Sequence, residues 1–356
     1  MRWTWIAGAS ILGAMAVCVG MISGCASMDQ KASEVYKRES GRKLGPWKSV
    51  QQASEIHWPY AWAAVAAYGD SVDPKRKPLE VSDPSLEPHA FLRDRGWEPW
   101  TELPSIDPNR AEPVYPDASS AMRAVHLRAE VWSNATAKQV IVAFGGTAAN
   151  SLPDWEANFR WFFGLFSDKK DEYDVLTDTF VKTFIDAYGN RARQPGGEWL
   201  RDAQIVSTGH SLGGGLAQRF AYSLLGGDGI SQVKEVYAFD PSPVSGKRSS
   251  PYAVQVAKGL TIYRLYNRGE TLASVRSILQ LGNMGNKRNE GQVWIDIRYR
   301  DNWTWRTVLP SGTVHAHGMY DLACFMAKNL PPLTAPASAA LTNNCLVGGG
   351  PVVPVD

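Results

Sequence analysis

The sequence predicts an α/β fold, with a mostly parallel central sheet covered by helices on both faces. Two observations carry that expectation. From Met122 onward, strand-like runs rich in β-branched residues alternate with segments of helical spacing, and turn residues punctuate the boundaries. The chain is also long and apolar enough for a sizeable core, with 356 residues of which 44% are hydrophobic and 20% charged. Its 37 basic and 35 acidic residues nearly balance, so net charge gives no footing for nucleic-acid binding, and a small or apolar partner is expected.

Taken in order, residues 1–24 read as an export signal: Arg2 supplies the positive start and Ile6 to Val19 an uncharged apolar run too short to span a bilayer. Ile22-Ser23-Gly24-Cys25 follows and resembles a bacterial lipobox, which implies that Cys25 is lipidated and becomes the N-terminus of a 332-residue chain. Acyl chains there would hold the protein to a membrane. Ala26, by similarity to enteric lipoproteins, implies outer-membrane sorting in a cell envelope. A cleaved signal with Cys25 incidental is the plainer reading. Residues 25–48 are polar and charged, as a tether would be.

Residues 49–121 form a helical and Pro-rich wrapping segment. A helix is expected to begin near Pro59. Nine of the 22 prolines lie between Asp73 and Asp117, which argues against long regular elements there. The core is assigned to 122–331. Within it, a hairpin is expected from Ala124 to Trp132 and Gln139 to Phe144. A helix follows through Leu176, Phe180, Phe184 and Tyr188, then a strand from Gln204 to Thr208 and a helix through Leu216, Phe220 and Leu224. Two further strands are expected at Glu235 to Phe239 and Leu260 to Tyr266. Residues 332–356 read as a C-terminal tail. Cys324 and Cys345 are the two cysteines left after processing, and an oxidising envelope suggests a disulfide between them.

The chemistry concentrates in Gly209-His210-Ser211-Leu212-Gly213. An apolar strand precedes this segment and an amphipathic helix follows it, and the glycines flank the serine where side chains would collide in an abrupt strand-to-helix turn. Ser211 is therefore the expected nucleophile of an α/β-hydrolase fold. The Leu212 N–H, at the helix start, would be an oxyanion donor. His210 reads as a packing residue. A serine nucleophile needs a histidine base held by a carboxylate, in the chain order serine, acid, histidine. Only His315 and His317 follow the nucleophile; His317, just before an apolar-faced helix, is favoured over His315. A His-x-His metal site lacks a third ligand, so no metal or other cofactor is expected. Asp240 and Glu270 both end predicted strands between serine and histidine and are the candidate acids.

These residues resemble the class 3 (fungal-type) lipase family over about Ala124 to Leu330. The resemblance rests on the serine segment, on Phe144-Gly145-Gly146-Thr147, and on Asp154-Trp155-Glu156-Ala157-Asn158-Phe159. It implies that Thr147 contributes to the oxyanion hole. Gly145 stands where the family has arginine. The family's acid lies in an Asn-x-x-Asp pattern that Asn267-Arg268-Gly269-Glu270 matches with glutamate, so Glu270 is favoured, with Asp240 the alternative on the pattern of pancreatic-type lipases. Trp155, Phe159, Trp161, Phe162, Phe163, Leu165 and Phe166 lie where related lipases carry a lid, or they are core. The implied function is cleavage of acyl-lipid esters through an acyl-serine. A thioesterase or peptidase, and a non-catalytic envelope lipoprotein using the fold as a binding module, are the rival expectations.

Overall fold

The computed structural model describes residues 34–68, 88–104, 114–146, 172–227, 229–242, 245, 252–267, 290–300 and 319–331. Their centre is a nine-stranded sheet. The strands are β1 Glu34–Glu39, β2 Gly45–Pro46, β3 Glu98–Pro99, β4 Ala129–Asn134, β5 Gln139–Phe144, β6 Gln204–His210, β7 Glu235–Phe239, β8 Thr261–Asn267 and β9 Val293–Arg300. Their order is β2-β1-β9-β8-β7-β6-β5-β4-β3. The run from β5 to β9 is parallel throughout, and antiparallel strands close it at both ends. The helices are α1 Val50–Ala66, α2 Pro88–Arg93, α3 Pro116–Ala124, α4 Glu172–Val175, α5 Val181–Arg193, α6 Leu212–Ser223, α7 Ala253–Ala257 and α8 Met319–Lys328; parallel neighbours need crossover connections, and those from β5 to β8 carry α4 to α7.

The period-2 alternation of the central strands sorts their side chains to two separate cores. Val140, Val142 and Phe144 of β5 meet Phe180, Phe184, Leu216 and Phe220 on one face. Ile141 and Ala143 of the same strand meet the buried Ala61–Ala66 stretch of α1 and Leu322 and Met326 of α8 on the other. Both faces are thus covered, which is why strands such as β5 read as continuous apolar runs. The strand order, the crossovers and the two covered faces match the expected α/β-hydrolase architecture.

Four expectations need correction. The segment 25–48 is no simple tether, because Glu34–Glu39 pairs antiparallel with β9 and Gly45–Pro46 pairs with β1. Its charge is accommodated by specific partners: the Arg38 Nε lies 2.9 Å from one oxygen of Asp296 on β9, and the Arg264 Nε of β8 lies 2.7 Å from the other. The first long helix starts at Val50, capped by the Ser49 hydroxyl accepting from the Gln52 N–H at 3.2 Å, and Pro59 lies inside it. The hairpin begins at Ala129, because Pro116–Ala124 is helical with proline at its first turn. The helix through Leu176 to Tyr188 is interrupted by a π-helical turn at Leu176–Phe180 before α5. Cys324, on α8, is disulfide-bonded; its expected partner Cys345 lies outside the described residues, as do Cys25 and the aromatic run from Trp155 to Phe166. Among the described residues no helix is long and apolar enough to cross a membrane.

Candidate active site

β6 lies between β5 and β7, and Ser211 is the residue on which it turns into α6. Its backbone has φ 56° and ψ −120°, a conformation that costs a non-glycine residue about 1–3 kcal/mol and persists only where the surroundings enforce it. The surroundings do. The Ser211 N–H donates to the Phe239 carbonyl at 3.0 Å, and the Ser211 carbonyl accepts from Ser242 at 2.9 Å and from Gly214 at 3.1 Å. A Cβ on Gly209 would run into the Gly213 carbonyl, and one on Gly213 into the Phe144 carbonyl, so both flanking glycines are required by close approach.

Because the Ser211 N–H is already committed to β7, it is not free to bind an oxyanion. The next one is. Leu212 opens α6, and a helix's first N–H groups have no acceptor within the helix. The helix dipole adds a partial positive charge at the same place. Ser211 is partly exposed while Leu212 is buried, so the turn offers a hydroxyl to solvent from an apolar bed. It stands at the carboxyl end of the parallel strands, where open α/β sheets bind ligands.

Asp240 also sits at this edge. It follows β7 directly, is 1% exposed and has φ 39°. Its neighbours Phe239 and Ser242 hold the Ser211 backbone from both sides, and its own N–H donates to Leu265 of β8 at 2.8 Å. β8 runs parallel to β7 and ends at Asn267, which brings the chain to the same edge three residues before Glu270. Glu270, Thr147, His315 and His317 lie outside the described residues. α8 begins two residues after His317 and packs on α1.

Three of the four described histidines have a ring-nitrogen partner elsewhere in the fold. His57 is fully buried, with its Nδ1 2.6 Å from the Tyr299 hydroxyl, and burial together with nearby Lys48 lowers it to about 3. The His89 Nε2 lies 2.9 Å from Glu130, and His126 is exposed in a loop. His210 does more than pack: its Nδ1 is 2.7 Å from the Tyr68 hydroxyl. The sequence offered no sign of Tyr68, which lies 142 residues away. No group of three His, Cys, Asp or Glu residues suited to a metal occurs among the described residues.

No protein-family model and no curated protein matches the chain. Solved structures similar to it include a fungal lipase bound to an inhibitor, at 17% identity over 65% of this chain and 74% of that one, with a TM-score of 0.37. A triacylglycerol lipase whose catalytic centre is a serine-protease triad is similar at 16% identity, over 66% of this chain and 75% of that one, TM-score 0.37. The native Rhizomucor miehei lipase propeptide complex is similar at 16% identity, over 71% and 69%, TM-score 0.38. Likeness at this level carries no weight by itself. The parallel sheet covered on both faces, with a strained serine at its strand-to-helix turn, identifies an α/β-hydrolase fold.

Proposed function

We propose that the chain is a serine hydrolase that cleaves carboxylic esters of lipids. The observation that carries the reading is Ser211, held in a strained turn at the carboxyl edge of a parallel sheet with a helix N-terminus beside its hydroxyl. Strain of this kind is maintained where function requires it.

In the proposed reaction the Ser211 Oγ attacks the ester carbonyl carbon while His317 takes the hydroxyl proton. The carbonyl oxygen becomes an oxyanion, received by the Leu212 N–H and Thr147. Collapse breaks the bond to the alcohol, which leaves with the proton from His317, and an acyl-serine remains. Water then adds to the acyl carbon, giving its proton to His317, and the fatty acid departs as Ser211 regains a hydrogen. Glu270, with Asp240 the alternative, holds the imidazole. The same reading places the enzyme at a bacterial cell envelope, lipid-anchored through Cys25 and facing its substrate, with outer-membrane sorting suggested by Ala26.

The test is product analysis with purified protein on triacylglycerols, phospholipid vesicles, acyl thioesters and peptides. Fatty acid released from the first two supports the reading; turnover of thioester or peptide alone moves the site to a different acyl group, and none at all favours a binding module. Incorporation of a palmitate analogue that is lost in Cys25→Ser tests the anchor.

A further inference from the structure

Where α1 ends, three parts of the proposed site meet. Gly145 and Gly146 follow β5 and lead into Thr147. The Gly145 N–H donates to the Arg128 carbonyl at 3.1 Å, which ties the start of this segment to the strand before it. A Cβ on Gly145 would lie 2.5 Å from the Ala67 carbonyl oxygen, so the segment is pressed against the end of α1. A Cβ on Gly146 would run into the Tyr68 hydroxyl and lie 2.7 Å from the His210 carbonyl oxygen. Both glycines are buried.

Tyr68 itself touches both parts. The Gly146 backbone packs against the phenol oxygen closely enough that an added Cβ would collide with it, and burial raises the phenol well above its ordinary value. The hydroxyl keeps its proton and lies 2.7 Å from the His210 Nδ1, the ring nitrogen of the residue immediately before the nucleophile. One phenol therefore spans from the residue before Thr147 to the residue before Ser211. The phenol and the imidazole share one proton across this contact, and the tautomer of His210 decides which of them donates.

We propose that Tyr68 is a positioning residue that fixes the spacing between the oxyanion segment and the nucleophile turn. It touches no reacting atom; it acts through Gly146 and His210. This rests on the reading of Ser211 as the nucleophile of an ester hydrolase. That spacing matters because an oxyanion donor stabilises the transition state only when aimed where charge develops, and misplacement by about 1 Å costs up to about a hundredfold in rate.

The experiment measures kcat and KM on a soluble short-chain p-nitrophenyl ester, together with thermal melting, for the full chain and its variants. Tyr68→Phe keeps the ring and removes the hydroxyl. It is expected to lower kcat about tenfold with KM within about twofold, since the lost alignment is felt in the transition state. His210→Leu is expected to do the same, and the double variant to be no worse than either single one, because both break one link. His210→Asn, which returns an amide able to accept or donate near the place of Nδ1, is expected to recover most of the activity. Wild-type kcat in Tyr68→Phe, or losses that multiply in the double variant, would overturn the proposal. Should Tyr68→Phe fail to fold, the two His210 variants read the same link, and equal kcat in these overturns it. A wild-type chain with no ester turnover overturns the parent reading instead, and this one with it.

Discussion

Replacing Gly145 with alanine probes the packing that sets the proposed oxyanion segment. The added Cβ would lie 2.5 Å from the Ala67 carbonyl oxygen and 3.0 Å from the Arg128 Cβ. Side-chain carbons essentially never approach closer than 3.0 Å, so α1 and the segment must part by 0.5 Å or more. Neither side yields easily. Ala67 N–H is held by Ala63 at 3.0 Å in the last turn of α1, and Gly145 is held by Arg128 at 3.1 Å. Overpacking of this kind costs about 1–3 kcal/mol, and the displacement passes to Thr147 two residues on, where a fraction of an ångström is expected to lower kcat about tenfold. Ester hydrolysis and thermal melting are measured beside Gly45→Ala, whose Cβ meets nothing within 4 Å and should change neither. Gly145→Ala with wild-type kcat and melting temperature would refute the reasoning.

Further expectations follow from the same geometry. Of Glu270→Gln and Asp240→Asn, one should lower kcat by about 10⁴-fold, as removal of the orienting carboxylate does in such triads, while the other leaves a far smaller loss; near-normal kcat in both would sink the triad. His57, lowered to about 3 by burial and by Lys48, resists protonation when folded but takes up a proton near 6.5 when unfolded. The unfolded state therefore binds more protons between those values, and stability falls as pH drops from about 6.5 towards 3, by roughly 5 kcal/mol from this group. Urea titrations of wild type and His57→Gln across that range should diverge at the neutral end and converge in acid, and parallel curves would contradict this. Cys324→Ser and Cys345→Ser should each cost about 3 kcal/mol, with the double variant no worse, if these two form the bond that Cys324 makes. Additive losses would mean a different partner.

Much of the central sheet was legible from the sequence because its strands are buried on both faces. Glu235–Phe239 was read with its observed ends, and Gln204–His210 fell short by two residues where Gly209 and His210 carry the strand into the turn. β1 and β9 were missed for the opposite reason. Both are studded with charge, and Asp296, 3% exposed, looks like a surface residue until Arg38 and Arg264 are brought to it from 258 and 32 residues away. The Ser49 cap was overlooked because Pro59 offered a stronger local start signal, which α1 absorbs inside its third turn.

The strand-to-helix turn at Ser211 was readable from five residues, since glycine spacing reports a backbone collision directly. Gly145 was seen only as a departure from the arginine of similar sequences. Its cause, the end of α1 pressed on the same spot, comes from a helix that ends near residue 66 and cannot be inferred from local pattern. His210 read as packing for the same reason: its partner lies across the fold.

The central claim is that Ser211 is an activated nucleophile, and covalent labelling tests it most directly. Purified full-length protein is treated with a fluorophosphonate and analysed by intact mass and peptide mapping. The account predicts a single stoichiometric adduct on Ser211, absent in Ser211→Ala and slowed in His317→Ala. A folded wild-type protein that takes no label, or Ser211→Ala that labels as fast as wild type, would contradict it.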